Sequence, residues 1–302
     1  MRTYTAGPAI GPVHDLAEGP RWDDHHQTVS WVDIANGAVF RGVLDSDDIH
    51  VTHRLDFPDT VGAASPTTDG GFVVAAHDRV VVVSADGSRT GFPPLVDRAQ
   101  HLRLNDAAVD PAGRLLVGSL ATDGRTGAAA LFRVEADGSA TLLRDGLNLA
   151  NGIGWSPEGS TLYVADSVPG VLWSAAYDVD TGEAHGWAPL VTEFDGLPDG
   201  LCVDAEGRIW VALWNGAQVR CLAPSGEVLA VVGLPVPHVT AVAFVGPGRD
   251  RLLITSARDE LDEEDRRRHP ESGRLFLADV GARGLPTTPF TPHPDDGRPE
   301  TP

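Results

Sequence analysis

Apolar residues in this chain come in short runs that alternate with small or polar ones. Gly, Pro and Asp interrupt any stripe long enough for an amphipathic helix. The runs also repeat. A unit of small or polar residues, an apolar strand, a Gly-bearing turn and a second apolar strand recurs as EGPRWDDHHQTVSWVDI (18–34), GAASPTTDGGFVVAAHD (62–78), NDAAVDPAGRLLVGSL (105–120), NGIGWSPEGSTLYVADS (151–167), DGLCVDAEGRIWVALW (199–214) and TAVAFVGPGRDRLLITSA (240–257). Turn glycines Gly70, Gly113, Gly159, Gly207 and Gly248 lie 43, 46, 48 and 41 residues apart by subtraction. That period holds four short strands and their loops, the size of one propeller blade. Runs such as ALFRVEA (130–136), VLWSAAYDV (171–179) and QVRCLAP (218–224) supply third strands. The pattern predicts an all-β, six-bladed β-propeller with four-stranded antiparallel blades.

A propeller must close its ring, and the stretch before Glu18 is placed to complete the blade begun by residues 240–280. Residues 1–285 are expected to form this single propeller, and the Pro-rich stretch 286–302 a mobile tail. The charged run LDEEDRRRHP (261–270) reads as a solvated surface loop.

Composition narrows the partners. Lys and Arg number 23 against 43 Asp and Glu, a formal net charge of -20. Such a surface repels nucleic-acid backbones and anionic membranes, so neither is an expected partner. Two cysteines, Cys202 and Cys221, are too few for a disulfide framework and lie in no zinc-binding pattern. The N-terminal sequence lacks the apolar stretch of a signal peptide, which gives the expectation of a soluble cytoplasmic protein; oligomeric state is left open.

Eight residues before each turn glycine stand Gly62, Asn105, Asn151, Asp199 and Thr240, and Glu18 precedes Trp22 as Asn151 precedes Trp155. If these open the innermost strands, residues distant in sequence converge on one mouth of the central tunnel. Glu18, Asn105, Asn151 and Asp199 then supply two carboxylates and two amide oxygens, hard donors suited to calcium, magnesium or manganese, with zinc also accommodated by carboxylates. Asn-Gly, Asp-Gly and Glu-Gly pairs are also ordinary turn formers, but turn chemistry alone does not explain four oxygen donors at six equivalent positions.

At EGPRW (18–22), RLNDAAVDPAGR (103–114), NGIGWSPE (151–158), LPDGLCVDAEGRIWVA (197–212) and TSARDELDEEDRRRHPESGRLF (255–276) the chain resembles the SMP-30/gluconolactonase/regucalcin-like family, over nearly its whole length. The resemblance implies a six-bladed propeller with one divalent metal at the tunnel mouth, calcium being the first expectation. It implies metal ligation by Glu18, Asn151 and Asp199, with Arg103 binding substrate and Asn105 close enough to touch the metal shell or the substrate. The implied reaction is hydrolysis of a small sugar lactone, with Asp199 activating water as the catalytic base. Two other readings stand beside it: a non-catalytic calcium-binding protein, and phosphotriester hydrolysis at the same metal. Some relatives carry a longer loop with an acidic residue over the substrate, whereas ATDGRTGAAALF (121–132) offers only Asp123. His101 and His238 stand near strand starts and are expected as bystanders at the mouth.

Overall fold

The computed structural model describes residues 1–9 and 11–292. Its strands form six sheets, one for each repeat. The innermost strands, from blade 1 to blade 6, are Ala17–Asp23, Val61–Pro66, Leu102–Val109, Ala150–Trp155, Leu197–Val203 and Val239–Val245. Each contacts the next around the tunnel, and that of blade 6 returns to that of blade 1. Antiparallel strands follow outward in every blade. The expected third strands are Ala129–Val134, Val171–Asp178 and Gln218–Leu222.

Closure uses the N-terminus twice. Gly7–Pro8 pairs antiparallel with Phe276–Ala278 as the outer strand of blade 6, as expected. Arg2–Thr5 also pairs, in parallel, with Val228–Gly233, giving blade 5 a fifth strand. Both cysteines are free thiols.

Side chains alternate between the faces of each sheet, and the core lies between neighbouring blades. Trp210 and Phe244 meet edge to face between blades 5 and 6, and Trp31 stacks on Phe40 within blade 1. Turns between first and second strands carry their own locks. In blade 3, Asp110 accepts hydrogen bonds from the Ala112 and Arg114 amides and from Arg114 Nε at 2.7 Å. In blade 5, Asp204 does the same with Glu206 and Arg208, and also accepts from Trp210 Nε1 at 2.8 Å.

Three local expectations change. In blade 6 the place of the turn glycine is taken by Arg249 (φ 48°), whose amide donates to the Gly246 carbonyl as the Gly113 amide does to Asp110, and not by Gly248, because the first strand runs one residue further before the turn; Thr240 nonetheless keeps its position in the repeat. The charged run 261–270 contains a short helix, Glu263–Arg268, whose N-terminus is capped by the Asp262 carboxylate. Of the stretch expected as a mobile tail, residues 293–302 lie outside the described residues, but Phe290 is wholly buried beside blades 2 and 3. It docks through backbone bonds to Pro66 and Thr68, because an aromatic ring gains more by filling that groove than by staying in water. Among the described residues no helix is long and apolar enough to cross a membrane.

Candidate active site

Every innermost strand slips register at one place. The irregularities fall between Glu18 and Arg21, Val61 and Ala63, Leu104 and Ala107, Ala150 and Ile153, Pro198 and Leu201, and Val239 and Val242. A bulge frees a residue from the ladder and re-aims its side chain. Here Asn105, Asn151 and Asp199 stand at the slip itself, and Glu18 immediately before it. The glycines beside them serve the packing of the hub as well. A Cβ on Gly152 would lie 2.4 Å from the Asp199 carbonyl oxygen, and one on Gly200 would lie 2.4 Å from Ala241 Cβ. Only glycine lets neighbouring strands approach so closely.

The structure brings Glu18, Arg103, Asn105, Asn151 and Asp199 together, lining one cleft of about 230 Å³ with Ser167. Glu18 and Asp199 are 5% and 6% exposed, and their carboxyl groups lie within hydrogen-bonding reach of each other. Asn151 Nδ2 donates to Asp199 Oδ1 and to Ser167 Oγ at 3.2 Å, which leaves its Oδ1 available to the cleft. Asn105 Nδ2 donates to the Ala150 carbonyl at 3.2 Å, while its Oδ1 accepts from Arg103 Nη1 at 3.0 Å. Asp123, by contrast, is tied to Arg125 at the surface and is not among the residues of the cleft. His101 is likewise absent from the lining.

A larger cleft, about 360 Å³, opens where the innermost strands end, with Trp22, Trp155 and Phe244 on its walls. It has no converging carboxylates, so chemistry rather than size selects the smaller cleft.

Burial pushes the Glu18 and Asp199 carboxyls above their ordinary range; the Glu18 charge raises Asp199 further and the Asp106 charge raises both, whereas the hydrogen bond with Asp199 draws Glu18 back down. Among the described residues Arg103 is the one cation in the cleft's lining, and desolvation draws its pKa down to about 10 against the pull of Glu18. The donor set is therefore over-supplied with negative charge and carboxylate or amide oxygen, and a hard divalent cation fits it. Among the described residues no group of three His, Cys, Asp or Glu side chains could hold a metal ion. The donors here are instead two carboxylates and an amide.

Sequence reading missed three supports. Asp33 and Asp166 end the second strands of blades 1 and 4 and clamp the approaches to Glu18 and Asn151. Asp33 accepts from the Asp15 and Leu16 amides, and Asp166 from those of Asn148 and Leu149. The signal was the Asp shared by SWVDI and YVADS at one repeat position. Asp106 is buried in the tunnel wall beside Arg21, with 3.5 Å between Oδ1 and Nη2. Nothing in NDAAV marked it apart from the preceding Asn. Trp214 is the third unforeseen support, lining the cleft and stacked on His238 with ring centroids 3.9 Å apart.

A closed six-blade ring with one acidic, oxygen-lined cleft on its axis defines a class of propeller whose chemistry sits at the hub. The family model described as "SMP-30/Gluconolactonase/LRE-like region" matches residues 16–258, and the chain belongs to that family. It is 34% identical to the pentonolactonase XacC of Haloferax volcanii, across 90% of this chain and 93% of that one. It is 33% identical to a 6-deoxy-6-sulfogluconolactonase of Pseudomonas putida, across 89% and 92%. The crystal structure of a calcium-binding protein, regucalcin from Agrobacterium tumefaciens, superposes with a TM-score of 0.89 at 27% identity, across 96% of this chain and 99% of that one.

Proposed function

We propose that this chain is a metal-dependent sugar lactonase whose divalent cation is held by Glu18, Asn151 and Asp199. The observation that carries this reading is the pair of buried carboxylates and the free amide oxygen that line one cleft. Relatives named as lactonases over nine-tenths of the chain support the reaction class. A bound cation would supply Lewis-acid polarisation of the lactone carbonyl.

The chain's own groups do the rest. Arg103 and Asn105, two residues apart and hydrogen-bonded to each other, present a fixed pair of donors to the ring's oxygens. Asp199 takes a proton from water as the water oxygen bonds to the carbonyl carbon. The ring C–O bond then breaks, the proton passes to the departing ring oxygen, and an open hydroxy acid leaves. No covalent link to the protein forms.

The test is acid release from a panel of aldonolactones by metal-stripped protein reloaded with calcium, magnesium, manganese or zinc. Glu18→Ala and Asp199→Ala are expected to lose turnover at least about 100-fold and to lose the cation, with the β-sheet circular dichroism unchanged. Full turnover in either variant after chelation refutes the assignment. Tight calcium binding with no acid release from any lactone would instead favour the binding-protein reading that the regucalcin neighbour suggests.

A further inference from the structure

The cleft has a far side that the proposed chemistry does not use. Arg103 opens blade 3, whereas Glu260 follows the second strand of blade 6, and in a six-membered ring those blades face each other across the axis. The two residues of opposite charge therefore stand on opposite rims of one cleft.

Glu260 is exposed and holds a left-handed backbone, φ 62°, that a residue with a long side chain adopts only at a cost. Among the described residues it has no hydrogen-bond or ion-pair partner, although Arg258, two positions earlier, is taken by Asp15 at 2.7 Å. Trp214 lines the same cleft, and one face of its indole rests on His238, at 10° between planes. His238 is buried and donates from Nδ1 to the Asp259 carbonyl at 3.1 Å, so it braces both the indole and the loop that carries Glu260. Burial also keeps its imidazole in the neutral form by lowering its pKa, although Asp259 and Glu260 act against this. An indole face beside a free carboxylate suits the C–H face and outer hydroxyls of a sugar, and it opposes an anionic substituent.

We infer that Trp214 and Glu260, positioned by His238, form a specificity wall that selects neutral polyhydroxylated lactones over lactones with an anionic group remote from the carbonyl. This rests on the lactonase reading for its reaction but not for its binding geometry. The wall discriminates by repulsion as well as by fit.

The experiment compares D-glucono-1,5-lactone with its 6-phosphate on the calcium-loaded full chain. Wild type is expected to favour the neutral lactone at least about tenfold in kcat/KM. Glu260→Gln should raise KM for the neutral lactone about three- to tenfold with kcat within about twofold, and should narrow the preference. Glu260→Lys should improve use of the phosphate ester. His238→Ala should raise KM for the neutral lactone while leaving kcat in place, a split that general loss of folded protein does not produce.

Equal use of both lactones by wild type, or an unchanged KM and preference in Glu260→Gln, overturns the inference. If wild type opens neither lactone, the lactonase reading falls and tryptophan fluorescence decides the wall. Saturable quenching by the neutral lactone in wild type that disappears in a folded Trp214→Leu sustains it; no quenching in wild type overturns it.

Discussion

Asp33 shows how far a single side chain reaches into the site. Its carboxylate is buried, which by itself raises its pKa, but hydrogen bonds from His14, Asn36 and the Leu16 and Asp15 amides outweigh that and hold it at about 2. A carboxyl whose folded pKa is below its unfolded value stabilises the fold above the unfolded pKa, near 4. That contribution fades as pH falls from about 4 toward 2. Its size is about 1–2 kcal/mol after allowance for solvent screening. Asp33→Asn is therefore expected to lower the melting temperature at pH 7 and to flatten the acid limb of a stability profile followed by circular dichroism. An unaltered acid limb would remove Asp33 from this role. At this scale the sequence was legible where residue type and repeat position together place a side chain in the cleft, as with Glu18, Asn151 and Asp199. It was mute about Trp214 and its stacking on His238, which depends on a bridge between blades 5 and 6.

At the scale of the strand, the bulge is the device that makes a site from a repeat. The period-two pattern locates each innermost strand but not the residue at which it slips, because register is a property of two strands together. The pairs Glu18-Gly19, Asn151-Gly152 and Asp199-Gly200 carried the trace, and in sequence they looked like turns. The glycine is needed for strand contact rather than for a reversal of the chain. Gly200→Ala forces Cβ against Ala241 and should cost about 1–3 kcal/mol, read as a lower midpoint in urea. It should also weaken cation affinity through Asp199, measured by calorimetry. A variant with wild-type stability and affinity would show that the strands can part without consequence. Blade 6 illustrates the converse: a first strand one residue longer puts Arg249, not the expected Gly248, in the left-handed turn position, yet Thr240 stays in its place.

Across the whole molecule, the proposed metal donors come from blades 1, 4 and 5, so the cleft exists only when the ring is shut. The repeat made that architecture readable, and the N-terminal strand in blade 6 followed from the need to cover an edge. The extra parallel strand Arg2–Thr5 did not, since nothing in RTYT selects blade 5 over blade 6. A cation that binds the closed ring and not the open chain raises its stability by mass action, by about 2.7 kcal/mol at a hundredfold excess over Kd. Calcium should therefore raise the melting temperature of wild type, and a chain lacking residues 1–8 should melt lower and need more calcium to recover. Identical melting curves for the two chains would show that the N-terminal strands contribute nothing to closure.

The same seam gives the first eight residues an influence unrelated to distance. They lie at the outer edges of blades 5 and 6, far from the hub, yet they fasten the two blades that carry Asp199 and Glu260. A tag or fusion that frays this hem would thus read out as a change in what the hub holds, even though no atom there had been altered.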